Sequence, residues 1–488
     1  MASASSPLMI MHDINRVFLS AYRPILLTAY CSDNDIAHLR GELYIDSGYQ
    51  DGLLDQWVTT GVMMNAFTKN IDGVSQTGFY EFNVMEYCRH YTGQANNPIW
   101  SWSTYVAMGR LETNRFQLRV WPVRYSPNAQ GQTFDAEEDT AVSNSFIATP
   151  ANTDHEISTS GWSMFGYLDR YTLGTNFQSG SGATETTLPL TRMPNPTNNE
   201  YKHGQHISMF DQQGDSLYTY FNVSKTSPNL YVCILGYNDG VTASFLDLID
   251  VTNKVPEKFR LPVHPKSLDM FLTLASGAPY NKIVDASGDL ICKRVAICML
   301  SGTGFFGVNE FWSTRPYEST ATPTALWQNI HYDNSVSGEL HNINQGKCER
   351  TKFVFQNRLG GYDWFSSYGT HKQAVTLSGN KYERSSGTWH TGQHSRTWLK
   401  TEREDNYSVI SQPVNKQTAL WLSELATSAK VWVQMPYQNA QGHDPMGAHH
   451  LIPVLINPNT FELYSSDEST YFVQFEYTLS SKKTQPRG

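Results

Sequence analysis

The apolar residues of this chain arrive in runs of strand length, and the clearest of them fall at every second position. Tyr471, Val473, Phe475, Tyr477 and Leu479 alternate with their neighbours near the C-terminus, and Phe116-Gln-Leu-Arg-Val120 does the same further upstream. A period of two places one set of side chains on a single face of a pleated strand, so these segments read as half-buried strands. Arg16 to Tyr30 is β-branched and aromatic, with Pro24 inside it marking an edge strand or a bulge. Leu39, Leu43 and Ile45 lead into the turn Asp46-Ser47-Gly48, and Phe79-Tyr-Glu-Phe-Asn-Val84 follows Gly78. Short strands at this spacing predict a β-sandwich in the N-terminal part.

Further runs repeat the pattern: Leu230 to Leu235, Phe245 to Ile249, Met270 to Leu274 and Arg294 to Leu300, each bounded by turn formers and too short for a buried helix. One helix is expected, where Leu422, Leu425, Ala426 and Ala429 fall at i, i+3, i+4 and i+7 behind Asn415 as a possible N-cap. Val431-Trp-Val-Gln-Met435 and Ile452 to Ile456 then return to strand. Residues 126 to 160 are polar and read as a linker, long loop or arm, as do Gln178 to Thr187 and Met193-Pro-Asn-Pro196. The 488 residues thus divide into an N-terminal β-sandwich over 12–126, polar linker and long loops over 127–205, a middle β domain over 206–345, and a β-rich C-terminal domain over 346–488 with its helix near 416–429. The fold class is all-β, mainly β-sandwich domains, multi-domain, with a few short helices.

Composition narrows function. Charged residues make up 17% and aromatic residues 13%, against roughly 25% charged in average soluble domains. The surface is therefore built largely from Ser, Thr, Asn, Gln and Gly, a profile suited to sheets and to large wet interfaces. A net charge of −9 supplies no field that would draw in a phosphate backbone, so no nucleic-acid partner is expected. The N-terminal residues lack a secretory pattern and no apolar run reaches the length of a membrane span, so the expectation is a protein made and kept in a cytosol. Cys31, Cys88, Cys233, Cys292, Cys298 and Cys348 are then expected as buried free thiols, with Cys292 and Cys298 able to share one face of a strand.

Three places invite a catalytic or metal reading. His390 and His394 have i, i+4 spacing, but Thr391-Gly392 between them argues for a loop, and a Glu after the first His is missing. His443, Asp444, His449 and His450 form a denser donor cluster in a stretch broken by Gly442, Pro445 and Gly447, which would hold a metal only with help from elsewhere. Asp135, Glu137, Glu138 and Asp139 lack the glycine-punctuated spacing of a calcium loop and read as a solvated loop. Gly302-Thr-Gly-Phe-Phe-Gly307 leads into Val308 to Trp312 rather than into an amphipathic helix, and is better read as a β-turn. Trp100, Trp102, Trp389 and Trp398 in expected loops suit either sugar stacking or subunit contact. No catalytic, metal or cofactor residues are assigned.

Lys352-Phe-Val-Phe-Gln-Asn-Arg-Leu-Gly-Gly-Tyr-Asp-Trp-Phe-Ser-Ser-Tyr-Gly369 reads as a hairpin corner: Phe353 and Phe355 alternate, Gly360-Gly361 permit a tight turn, and Asp363 accepts turn hydrogen bonds. Through Phe355, Asn357, Arg358, Gly360, Gly361, Asp363 and Phe365 it resembles a segment of virion proteins of tailed phages, in particular crAss-like and related short-tailed phages of Bacteroidetes and marine bacteria. Trp421 to Ser428 with the strands after it resembles their C-terminal module, and Tyr22-Arg-Pro-Ile25 with Gly41 to Ile45 their N-terminal sandwich. About residues 130 to 340 are outside the resemblance. It implies a non-enzymatic structural component of the tail or neck, a ring or tail-adaptor protein that binds copies of itself and other tail proteins, is assembled in the host cytoplasm and is located in the virion. The resemblance carries no catalytic residues; Asn357, Arg358 and Asp363 read as structural. The alternatives are a receptor- or glycan-binding tail fibre or spike and, behind that, a cell-wall glycosidase, which would need two carboxylates in one cleft.

Overall fold

The computed structural model describes residues 8–10, 18–32, 35–48, 55–71, 74–92, 113–126, 131–152, 168, 172–173, 190–194, 206–208, 218–223, 230–237, 243–250, 257–262, 268–269, 283–286, 290–301, 327–331, 351–367, 370–383, 396–436, 449–457, 471–480 and 483–485. Strands dominate them, arranged in five sheets, with the helices Met85–Tyr91 and Lys416–Thr427. The protein is all-β with few helices. No helix among the described residues is long and apolar enough to cross a membrane. The chain groups into two units, one of residues 1–191, 198–333 and 358–361, the other of residues 192–197, 334–357 and 362–488.

In the first unit two sheets share one core. The larger is seven-stranded, its path running Phe18–Ser20, Phe146–Thr149, Asn114–Tyr125, Ile36–Asp46, Trp57–Ala66. The smaller pairs Leu8–Ile10, Leu26–Cys31, Val74–Asn83 and Thr68–Ile71. Leu39, Leu43, Phe116, Leu118 and Val120 from the first sheet meet Leu27, Ala29, Tyr80 and Phe82 from the second, and Cys88 closes the cluster from its helix. This is the expected sandwich, with two changes of detail. Arg16 to Tyr30 is not one strand: Phe18–Ser20 and Leu26–Cys31 join different sheets, and Pro24 lies in the connection between them. Within the expected polar linker, Thr133–Asp135, Ala141–Val142 and Phe146–Thr149 all add to the long strand Asn114–Tyr125. The apolar stretch Phe146-Ile147-Ala148 is short, but every one of its side chains is buried.

The turn Asp46-Ser47-Gly48 is held from its first residue. The buried Asp46 carboxylate accepts from the amides of Asp55 (2.9 Å) and Gln56 (3.0 Å) and from Arg115 Nη1 (3.0 Å). Arg115 also reaches Asp55, donates to Ser145 Oγ and lies over the Trp57 ring. A buried carboxylate is tolerated only when such donors replace its water.

Also in the first unit, a five-stranded sheet orders His206–Ser208, Trp327–His331, Arg294–Ser301, Leu230–Tyr237 and Ala243–Asp250. Its register sets Cys233 directly opposite Cys298. Cys292 precedes the strand that begins at Arg294, so it does not share a strand face with Cys298. Met270 to Leu274 lies outside the described residues.

The second unit is built on one eight-stranded sheet. Its path is Tyr362–Ser367, Thr351–Gln356, Val431–Pro436, His449–Ile456, Gln474–Leu479, Arg396–Ile410, His371–Glu383. The helix Lys416–Thr427 lays Ala419, Trp421, Leu422 and Leu425 into the core with Phe353, Phe355, Val433 and Phe475. Asn415 Oδ1 accepts from the Thr418 amide at 2.8 Å, the N-cap that the sequence suggests. Ala429 falls beyond the helix and is exposed.

Replacing Asp46 by Ala removes the acceptor of the Gly48, Asp55 and Gln56 amides and one of the two carboxylate partners of Arg115, and is expected to cost about 2–4 kcal/mol in urea unfolding. Asp55→Asn, which removes the exposed partner charge of the same arginine and keeps a residue type suited to the positive φ of 65° there, is expected to cost within about 0.5 kcal/mol. Equal effects would mean that the buried carboxylate is not the anchor.

Candidate interface

Among the described residues, a feature that departs from a closed core is the antiparallel ribbon formed by His371–Glu383 and Arg396–Ile410. Its root is inside the core. Tyr407 and Tyr477 are cross-strand partners whose rings stack at 4.9 Å and 8°. His371 stacks on Tyr407 at 5.6 Å, and its Nε2 lies 3.2 Å from the Tyr477 hydroxyl. Phe353 meets Tyr477 edge-on at 5.5 Å. Burial pushes the Tyr477 hydroxyl well above its ordinary pKa, so it stays protonated across the physiological range.

Beyond this root the ribbon leaves cover. Every residue from Lys372 to Gly379 is exposed, which means that both faces of the strand are open. Val375 and Leu377, at 47% and 62% exposure, share one of those faces. Gln373 donates to the Tyr407 hydroxyl at 3.2 Å and Asn406 to Thr376 Oγ1 at 2.8 Å, tying the strand to its partner by side chains as well as backbone. The strand also ends the path of its sheet, so among the described residues its outer side has no strand beside it. Two-sided exposure, aliphatic side chains and an edge of backbone donors and acceptors are the features by which a sheet edge can take up another extended chain.

The resemblance segment is used structurally. Asp363, fully buried, accepts from Trp421 Nε1 at 2.9 Å and from the Arg192 amide at 3.0 Å. Arg192 Nε reaches Glu424, itself buried, at 3.2 Å. Asn357 is buried, and the Arg358 carbonyl accepts from the Asn152 amide at 2.6 Å. Gly360 has φ +79°, and a Cβ on Gly361 would collide with the Leu190 carbonyl oxygen.

The acidic group at 135 to 139 is half neutralised rather than simply solvated. Asp135 pairs with Arg40 and Asp139 with Arg124, both at 2.6 Å, while Glu137 and Glu138 are exposed. On the same sheet Arg119 lies over the Tyr44 ring at 4.5 Å, and Tyr44 donates to Glu42 at 2.7 Å. Desolvation and the Glu42 carboxylate raise the Tyr44 pKa. Tyr44 and Trp57 thus carry guanidinium groups on their rings, an arrangement for holding a sheet face rather than for stacking a sugar.

His449 and His450 begin the strand His449–Ile456, opposite Pro436 and Met435. His390, His394, His443, Asp444, Trp100, Trp102, Trp389, Cys348 and residues 302 to 312 lie outside the described residues, and Trp398 is placed in the ribbon strand Arg396–Ile410. Cys31, Cys88 and Cys292 are buried as thiols. Sequence reasoning missed the ribbon because Lys372 to Gly379 has no buried face and therefore no hydrophobic period to detect. Comparisons with protein families, with curated proteins and with solved structures gave no significant match.

Asp363→Ala leaves the Trp421 and Arg192 donors without their acceptor and is expected to destabilise the second unit by about 2–4 kcal/mol, measured by Trp fluorescence in urea. The buried thiols yield a separate test. Desolvation pushes Cys88 far up and Cys292 up to about 11, so neither holds appreciable thiolate at pH 8. Peptide mapping after alkylation at that pH is expected to find both unmodified in native protein and modified in denaturant; rapid native labelling of either would contradict its burial.

Proposed function

We propose that this chain is a non-enzymatic structural component of a tailed-phage virion, a tail or neck ring or tail-adaptor protein that binds copies of itself and neighbouring tail proteins. The observation that carries the assembly part of this reading is the ribbon: a strand open on both faces, with Val375 and Leu377 exposed, rooted in a rigid aromatic core. A surface of this kind gains by being covered, since main-chain hydrogen bonds and apolar burial act together. A chain with only 17% charged residues suits broad, wet contacts.

The phage assignment rests on the residue pattern from Phe355 to Phe365. Its Asp363, Gly360 and Gly361 are engaged in holding the chain together, which agrees with a scaffold motif rather than a reacting one. The acidic residues Asp46, Asp135, Asp139, Asp363 and Glu424 all have structural partners. On this reading the protein acts by shape and contact, in the tail or neck region of a particle assembled in the bacterial cytoplasm.

The test is the mass of the full-length protein by light scattering over a concentration series, followed by negative-stain imaging. Closed rings are the expected result and would give the symmetry directly. A monomer at every concentration would count against self-assembly, and a compact trimer that binds defined glycans would replace the ring reading with a receptor-binding one.

A further inference from the structure

We infer that the outer edge of the strand His371–Glu383 pairs, antiparallel and about a two-fold axis at Thr376, with the same strand of a second copy of this chain. The inference rests on the assembly reading and names the partner of that surface.

Three observations select a second copy. The strand is the last on its sheet path among the described residues, so the backbone groups on its outer side point away from the strand Arg396–Ile410. In an antiparallel strand every second residue directs both its N–H and its C=O to that side, and only another extended segment satisfies them in series. The usual protection of such an edge is missing: from Gln373 to Asn380 there is neither a charge nor a proline. Natural edge strands are kept apart by inward charges, prolines and bulges, and this one has its register shift only between Asn380 and Lys381, beyond the exposed stretch.

The sequence is also self-complementary at one register. A two-fold at Thr376 sets Val375 of each copy opposite Leu377 of the other, joining four aliphatic side chains on one face. On the other face Thr376 meets its own copy, and Ala374 meets Ser378. Lys372 falls opposite Asn380, so no like charges are opposed. Moving the axis to Val375 sets Leu377 against Gln373, and moving it to Leu377 sets Val375 against Gly379 and Gln373 against Lys381. Either shift separates the aliphatic group. The contact is isologous and closes on itself, so alone it gives a dimer, and added to head-to-tail ring contacts it joins two rings face to face.

The experiment uses the full chain and three exposed positions. Thr376→Cys places two thiols at the axis, within the roughly 4.5–5.5 Å Cβ separation of directly paired residues. Mild oxidation followed by peptide mapping is expected to find a 376–376 link, whereas Lys372→Cys, far from the axis, gives none to itself. Leu377→Lys is expected to weaken self-association about tenfold or more in sedimentation equilibrium, with an unchanged circular dichroism spectrum. Assemblies whose mass survives Leu377→Lys, with or without the 376–376 link, would overturn this contact and leave the assembly reading standing. A link from position 376 to any other residue would overturn the register. A wild-type chain that is monomeric at every concentration overturns both.

Discussion

The stacked pair Tyr407 and Tyr477 is the interaction on which the second unit's exposed surface depends. The rings come from adjacent strands in register, and their contact fixes which residue of Arg396–Ile410 faces which of Gln474–Leu479. A slip of one residue would turn Tyr407 and Val409 out of the core and bring Ser408 in. His371 extends the stack to a third strand, so the same contact sets the point at which the ribbon leaves cover. Rigidity at the root lets the arm keep a defined strand conformation, and Lys483–Gln485 pairs with Thr401–Arg403 further out, where an isolated hairpin would be marginal in water.

Charge is handled in two ways. Deep carboxylates, Asp46 and Asp363, replace their lost water with backbone and side-chain donors and so tie together segments distant in sequence. Half-exposed pairs such as Arg40 with Asp135 are spread over a sheet face and add little individually. The outer strand of the open ribbon, by contrast, runs from Gln373 to Asn380 without a charge, while the strand beside it carries Lys400, Glu402, Arg403, Glu404 and Asp405. The molecule thus concentrates its electrostatic specificity where the fold needs it and leaves that stretch of the ribbon's outer strand uncharged.

The all-β class, the sandwich and the helix with its Asn415 cap were legible because each rests on a periodicity or a cap that burial enforces. The alternation at Tyr471, Val473, Phe475 and Tyr477 was readable for the same reason: all four side chains are buried. Phe146–Thr149 was hidden by its polar surroundings, since a four-residue strand gives a periodicity argument too little to work with. The ribbon was hidden more completely. A strand wet on both sides leaves no pattern in hydropathy, and its pairing is stated only by tertiary contacts such as Gln373 with Tyr407. Asp363 could be assigned to a turn from its glycine neighbours, but its true partners, Trp421 and Arg192, are far away in sequence.

That distance bears on how the protein is made. The bond from the Arg192 amide to Asp363 spans 171 residues. At roughly 5–20 residues per second the first partner leaves the ribosome on the order of ten to thirty seconds before the second. During that interval the short segment around Arg192 has no carboxylate to bind and Met193 no aromatic core to enter. Completion of the second unit is therefore a late, post-emergence event, and the ribbon becomes a rigid arm only after Tyr477, 70 residues beyond its stacking partner Tyr407, has been synthesised. On the proposed pairing, premature association through an unfinished arm is thereby delayed by the order of translation itself.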